Sequence, residues 1–137
     1  MNINELINQA QSVFNNQGDH CDFGCSQNSI PGMIEYIKEH LPHYQYCVIS
    51  NWRWVDIDTS EKARKKLKER GLKPCFLYSA SVVEDEKIRG FKSVRTTFLK
   101  SFHKNCIFLT KNTAYILQGS GTRITIEAAV FASIFSD

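Results

Sequence analysis

Basic and aromatic side chains alternate along the second half of the chain, in a pattern suited to binding anions. Between Glu86 and Glu127 the sequence contains no acidic residue. Cationic groups bind phosphate or carboxylate oxygens, and exposed rings stack on nucleobases. The side chains are Lys87, Arg89, Lys92, Arg95, Lys100, Lys104, Lys111 and Arg123, interleaved with Phe91, Phe98, Phe102 and Tyr115. An earlier basic run contains Lys62, Arg64, Lys65, Lys66, Lys68 and Arg70.

The net charge of +3 conceals a strong asymmetry along the chain. Residues 1–61 carry a net charge of −6, residues 62–126 a net charge of +11, and the last eleven residues −2. Such a field steers anionic partners towards the basic half, unless the acidic half neutralises it within the molecule. Both explanations stay open at the level of sequence.

Histidine and cysteine side chains in the first half are the candidates for a metal site. They are His20, Cys21, Cys25, His40, His43 and Cys47. Structural zinc needs four such ligands in a tetrahedron, usually in finger or ribbon spacings. The spacings here are C-x3-C and H-x2-H-x3-C, which match neither pattern. We therefore predict no metal and no other cofactor.

Nucleophilic catalysis by serine or cysteine needs a neighbouring base, an orienting group and donors for an oxyanion. The sequence has no G-x-S-x-G elbow and no protease-like cysteine motif. We therefore expect a protein that is not an enzyme and has no catalytic residue.

Two short motifs have both a functional and a structural interpretation. The glycines of the segment 119–123 could let backbone N–H groups converge on phosphate, with Arg123 beside them. A strand and not a helix follows, so a hairpin turn is favoured. Trp52-Arg53-Trp54 could form a protein-binding hot spot or anchor the core. We expect Trp54 in the core and leave Trp52 open.

Three helices are predicted before residue 71. Asn2 caps the first, whose apolar residues recur at helical spacing over 3–14. Asn28 or Ser29 caps the second, which ends at Leu41-Pro42. Asp58-Thr59-Ser60-Glu61 is a capping box for the third, Ser60–Arg70, which Gly71 terminates.

Runs of β-branched and aromatic residues predict the strands. Tyr46–Ile57 forms one long strand, or two joined at Ser50-Asn51. Alternation places Cys47, Ile49 and Asn51 on one face and Val48, Ser50, Trp52 and Trp54 on the other. A strand at Cys75–Val83 precedes a meander over roughly 88–102, 105–110, 113–118 and 122–126, with tight turns at Lys111-Asn112 and Gly119–Gly121 and a short helix or strand from Glu127 to Phe135.

Helices followed by sequential strands predict an α+β fold. We expect an antiparallel sheet of about five to six strands, packed with two to three helices from the N-terminal half. The length suits a single domain over residues 1–137. Five scattered cysteines favour free thiols in a reducing cytosol. With no apolar run of eighteen residues and no secretory signal, we expect a cytoplasmic protein without membrane contact.

Three stretches of the chain, CVISNWRWVDI, RGLKPCFLYSASVVED and SVRTTFLKSFHKNCIFLTKNTAYILQGSGTR, carry a recognisable order of motifs. The order resembles that of a family of small bacterial and prophage proteins, a domain of unknown function, with C-V-V-x-x-W-x-W-x-D and N-T-x-Y-x-L-x-G-x-G-x-R. The similarity covers roughly residues 46–123. The chain departs from it at Phe91-Lys92-Ser93, where the family tends to have an acidic-aromatic pair. The resemblance implies a compact cytosolic α+β module from a phage or another mobile element, and the family carries no catalytic assignment to transfer.

These observations favour a non-enzymatic binding or regulatory module that docks a protein with an acidic surface through a basic sheet edge. A phage-encoded inhibitor of a host system is the kind of protein that the resemblance implies. The expected partner-binding residues are Arg89, Lys92, Arg95, Lys100, Lys104 and Arg123, with Lys65 and Lys66 behind them. The alternative is a nucleic-acid-binding protein using the same surface. A nucleic-acid mimic would instead use the acidic residues Asp19, Asp22, Glu35 and Glu39.

Overall fold

A computed structural model of the protein describes residues 1–136. The helices are α1 (Ile3–Phe14), α2 (Ile30–His40), α3 (Glu61–Glu69) and α4 (Ala128–Val130). The strands are β1 (Asp19–Cys21), β2 (Gln45–Asp58), β3 (Cys75–Asp85), β4 (Val94–Arg95), β5 (Ser101–His103), β6 (Ile107–Leu109), β7 (Thr113–Leu117) and β8 (Gly121–Glu127). A 3-10 turn precedes α2 and a π-helical turn follows α4, at Gln27–Ser29 and Phe131–Phe135. The α+β class and the three early helices are confirmed.

The predicted caps form at two of the three helices. The Asn2 side chain accepts a hydrogen bond from the backbone N–H of Glu5 at 2.9 Å. The Ser60 hydroxyl accepts one from the N–H of Ala63 at 3.1 Å, and Gly71 follows α3 with φ +71°. These caps satisfy orphan N–H groups, so local sequence defines both helix starts. At α2, Ser29 makes no side-chain capping bond.

The long strand β2 organises a mixed sheet. One edge of β2 pairs antiparallel with β3. The other edge pairs in parallel with β7 along its first half and with β8 along its second half. The prediction of an antiparallel sheet of five to six strands therefore fits only in part, because the sheet has eight strands and is mixed, with two parallel pairings among antiparallel ones.

Of the two predicted tight turns, one forms a hairpin and the other does not. The hairpin at Lys111-Asn112 is confirmed, since β6 and β7 pair antiparallel with Phe108 opposite Tyr115. The hairpin at Gly119–Gly121 is wrong, because β7 and β8 follow one another along the same edge of β2. The continuous strand predicted over 88–102 is also wrong, since only β4 and β5 form there.

The sheet curls around an interior core. The chain between β4 and β5 completes the curl: the N–H of Leu99 donates to Cys75 O, and that of Lys100 donates to Leu109 O. The core contains Cys47, Ile49, Trp52, Trp54, Leu77, Phe108 and Leu117. Trp52 and Trp54 therefore share a cluster with Cys47 and Ile49, against the predicted alternation. The alternation reverses at Asn51, which has φ +48°.

Helices cover the outer faces of the sheet. Helix α1 and the C-terminal helical segment pack near Val55, Ile57 and Phe76. Helix α2 packs against a separate cluster that includes Val48 and Ile116. Helix α3 has no buried residue and lies beyond the end of β2. Within residues 1–136, no helix combines the length and the apolar character needed to cross a bilayer.

Candidate binding site

The motif C-V-V-x-x-W-x-W-x-D on β2 and the end of the motif N-T-x-Y-x-L-x-G-x-G-x-R on β8 lie next to each other in the structure. The parallel register of β2 and β8 places Trp54 beside Arg123. The Arg123 guanidinium donates to both carboxylate oxygens of Asp56, at 2.7 and 3.1 Å. It also lies 5.0 Å from the centre of the Trp54 ring. The Arg123 guanidinium therefore contacts the Asp56 carboxylate and the face of the Trp54 ring at the same time, which fixes the orientation of all three side chains.

The glycines of the second motif serve packing. The Trp52 indole N–H donates to Gly119 O at 2.9 Å. A Cβ at Gly121 would lie 2.4 Å from the Trp52 ring and backbone, so only glycine fits there. The N–H of Gly119 is already donated to Cys25 O at 2.7 Å. These contacts favour a structural role for the segment over a phosphate cradle.

A cleft of about 440 Å³ opens above this pair of motifs, and we call it the basic cleft. Three rings form its aromatic side: the centroid separations are 5.3 Å for Phe23–Trp54 and 5.0 Å for both Phe23–Phe102 and Trp54–Phe102. Arg64, Lys73, Asp56 and Arg123 line it as well. The cleft thus combines cations with the half-buried rings of Phe23 and Phe102 and the buried ring of Trp54. A neighbouring cavity of about 520 Å³, beside β1, shares Asp56 and Arg123 with it.

Helix α3 and the residues after it contribute two cations to the lining of this cleft, Arg64 and Lys73, and carry further positive charge beside them in sequence. Every basic side chain from Lys62 to Lys73 is exposed. In the described part of the chain, no carboxylate lies within ion-pairing distance of any of them. The set comprises Lys62, Arg64, Lys65, Lys66, Lys68, Arg70 and Lys73. The predicted residues Lys65, Lys66 and Arg123 therefore belong to this end of the molecule.

The other predicted cations lie elsewhere and make local contacts. Arg89 forms an ion pair with Asp85 at 2.7 Å, and Lys92 lies in the same loop after β3. Arg95 lines a cavity of about 320 Å³ with Arg70 and Lys111. The Lys100 ammonium donates to the Tyr44 hydroxyl at 2.7 Å, and that of Lys104 lies 5.0 Å from the Tyr36 ring. The eight predicted residues thus occupy four different places.

The thiols are poorly suited to nucleophilic attack. Burial raises the pKa of the Cys25 thiol. It raises the pKa of Cys47 to about 11 and the pKa values of Cys75 and Cys106 to about 12. A thiol with a raised pKa stays protonated near neutral pH, whereas the thiolate is the nucleophile. A Ser–His contact does exist, between Ser101 Oγ and His103 Nε2 at 2.8 Å. Within residues 1–136 no carboxylate orients that imidazole.

The metal candidates do not assemble among the described residues, where no three suitable side chains converge. His20 contacts Asp22 at 2.7 Å, and His40 lies 3.8 Å from Glu39. Cys21 and Cys47 lie in the interior core. The acidic residues proposed for mimicry are exposed, with Asp19 and Asp22 at β1 and Glu35 and Glu39 on α2.

Trp52, Arg53 and Trp54 are all buried, so the two rings anchor the core. Arg53 is only 5% exposed, and its Nε and Nη1 have no hydrogen-bond partner within residues 1–136. Burial lowers the pKa of this guanidinium, which lies 5.4 Å from the centre of the Tyr78 ring. Sequence reasoning also missed two residues of the cleft. Phe23 lies outside the three quoted stretches, and the position of Lys73 within RGLKPCFLYSASVVED gives no local sign that it faces the cleft.

The fold and the cleft define a class: an α+β module with a basic, aromatic-lined cleft. Residues 22–133 match the family model described as Domain of unknown function (DUF6957), and the chain belongs to that family. The match confirms the resemblance to an uncharacterised family. Helix α1 lies outside the matched segment. No curated protein and no solved structure matches the chain.

Proposed function

We propose that the protein is a non-enzymatic binding module that docks a protein partner with an acidic surface at the basic cleft and helix α3. One observation carries the proposal: the basic residues from Lys62 to Lys73 are exposed, and no described carboxylate pairs with them. Unpaired surface cations steer an acidic partner and fix its orientation more than they add affinity. Of the partner-binding residues expected from sequence, the proposal keeps Lys65, Lys66 and Arg123. It adds Arg64 and Lys73, which line the basic cleft.

The composition of the cleft suits a protein interface. Its rings and Leu99 provide an apolar centre, and Arg64 and Lys73 provide a polar rim. Protein interfaces combine a desolvated aromatic centre with such a rim. A cytoplasmic inhibitor encoded by a phage or another mobile element would act in this way, by covering an acidic surface of its target.

Nucleic-acid binding is the second candidate, and the half-buried rings of Phe23 and Phe102 favour it. Rings beside cations stack on bases while the cations neutralise phosphates. This alternative predicts that labelled oligothymidylate binds the purified protein with a steep dependence on salt. Replacing Phe102 by Ala would then weaken oligothymidylate binding.

A pair of matched variants tests the primary proposal. Lys65→Glu/Lys66→Glu and Lys100→Glu/Lys104→Glu change the net charge equally, but only the first alters α3. We expect wild type and the second variant to retain the same protein from a cell lysate at low salt, and the first variant to lose it. Equal retention by both variants would contradict a docking role for α3.

A further inference from the structure

The loop between β3 and β4 presents apolar side chains to solvent, at the opposite end of β3 from the basic cleft. Ile88 is 86% exposed and Phe91 is 56% exposed. Lys87 and Lys92 flank them in sequence, and both are exposed. We call residues 86–92 the β3–β4 loop. About 30 Å of strand separates it from the cleft, at roughly 3.3 Å per residue.

The loop is held by hydrogen bonds. The carboxylate of Asp85 accepts from the backbone N–H groups of Lys87 and Arg89, both at 3.3 Å. It also accepts from the Arg89 guanidinium at 2.7 and 3.0 Å. At the base, Glu86 and Tyr46 exchange two bonds, and the Tyr46 hydroxyl donates to Glu84 at 2.6 Å. An ordered element of this kind loses little freedom on binding.

Ile88 adopts an unfavourable backbone conformation without an internal benefit. Its φ is +51°, a region that β-branched residues rarely occupy. The exposure of its side chain means that packing within the protein does not compensate for the strain. Strained positions that persist are concentrated at active sites, ligand clamps and switch regions.

We propose that the β3–β4 loop is a second docking element, which inserts Ile88 into an apolar pocket of a protein partner. Phe91 packs at the border of that pocket, where Arg89 lies 5.4 Å from its ring centre. Lys87 and Lys92 face carboxylates around the pocket. The inference is independent of the basic cleft, because it uses other residues and another kind of contact.

The charges near the loop favour a protein over a membrane or a nucleic acid. Residues 84–92 contain three acids and three bases, so the segment is neutral. Glu84 and Glu86 are exposed within a few residues of the tip, where an anionic bilayer or a phosphate backbone would be repelled. A protein surface can place an apolar pocket at the tip and its carboxylates only where the lysines lie.

Site-specific crosslinking in the full chain tests the proposal. The photocrosslinker benzoylphenylalanine replaces Ile88 in one sample and Asn112, at an exposed hairpin tip, in a control. We expect one protein to crosslink at position 88 and not at position 112. That protein, once purified, should bind the wild-type chain at least about 30-fold more tightly than it binds Ile88→Asp, as expected for an interface anchor.

Ile88→Gly separates binding from folding, since glycine accepts positive φ but carries no side chain. We expect Ile88→Gly to lose affinity like Ile88→Asp while unfolding at a midpoint no lower than that of wild type. Four results would overturn the proposal: no product specific to position 88, a second copy of this chain as the product, unchanged affinity of Ile88→Gly, or Ile88-dependent binding to phosphatidylserine vesicles. Lys65→Glu/Lys66→Glu, measured in parallel, shows whether the cleft fails separately.

Discussion

The two ends of β3 present different kinds of surface to a partner, one charged and one apolar. At the Cys75 end, a cleft built from motif residues is lined by Arg64 and Lys73, and no described carboxylate lies within ion-pairing distance of either. At the Asp85 end, Arg89 pairs with Asp85 within the loop, and the exposed side chains include the apolar Ile88 and Phe91. Charges act at long range and govern encounter, whereas apolar contacts act only after desolvation and govern dissociation. The comparison predicts that the two ends influence different steps of binding.

The largest expected effect concerns stability at the cleft end. Trp54 is 4% exposed and touches Phe23, Phe102 and Phe108. Trp54→Ala should lower the free energy of unfolding by about 3–5 kcal/mol, because it removes a large buried ring. Urea denaturation measures this. Phe91→Ala at the loop end should change it by less than about 0.5 kcal/mol, and a similar loss there would remove the contrast.

Next comes the carboxylate that holds the loop. Asp85→Asn should cost about 1.5–3 kcal/mol at neutral pH, because charge-assisted hydrogen bonds to Arg89 are lost. The hydrogen bond from Arg89 lowers the pKa of Asp85 in the folded protein. Its contribution to stability is therefore present above the unfolded pKa, about 3.9, and is lost as pH falls through the folded pKa.

Urea titrations of wild type and Asp85→Asn across this acidic range should consequently converge. Asp19→Asn, which alters an exposed carboxylate, is the matched control and should track wild type throughout. A difference between wild type and Asp85→Asn that persists at the acidic end would show that the effect is steric.

A smaller effect, of opposite sign, is expected at the tip of the loop. Ile88→Gly should stabilise the protein by roughly 0.5–1 kcal/mol. Glycine accepts a positive φ without the strain that isoleucine has, and this gain exceeds the larger loss of backbone entropy that glycine undergoes on folding. Ile88→Ala keeps a Cβ and should give no such gain. Thermal unfolding of the three proteins gives the comparison, and destabilisation by glycine would mean that the isoleucine supports the loop.

The smallest stability effect is expected on α3. Lys65→Glu/Lys66→Glu should change the free energy of unfolding by less than about 0.5 kcal/mol, since both side chains are exposed and have no carboxylate partner. Its effect should fall on binding alone. A loss of several kcal/mol in urea denaturation would assign these lysines to folding.

The elements that the sequence predicts correctly are those defined by neighbours in the chain. Asn2 and Ser60 cap helices through groups three residues away, and Lys111-Asn112 links two adjacent strands. The parallel pairing of β2 with β7 and β8 depends on contacts across more than sixty residues, which no local pattern encodes. The same holds for Asn51, whose positive φ reverses the alternation that placed Trp52 on the wrong face.

The residues of the candidate site also fall into those that the sequence predicts and those that only the fold brings together. Arg123, Lys65 and Lys66 could be named from composition, because basic side chains on an exposed strand and helix are visible in sequence. Phe23 and Lys73 could not, since only the curl of the sheet brings them to Trp54. The pairing of Asp85 with Arg89 was equally hidden, and it removes one predicted cation from the free surface.

The central claim is that unpaired cations around the basic cleft guide an acidic protein to it. The direct measurement is the association rate constant of the captured partner as a function of ionic strength, for wild type and for the two double-lysine variants of equal charge. We predict a rate that falls roughly tenfold or more at low salt for Lys65→Glu/Lys66→Glu alone, with a flatter dependence on salt. Equal rates and equal salt dependence for both variants would contradict the claim.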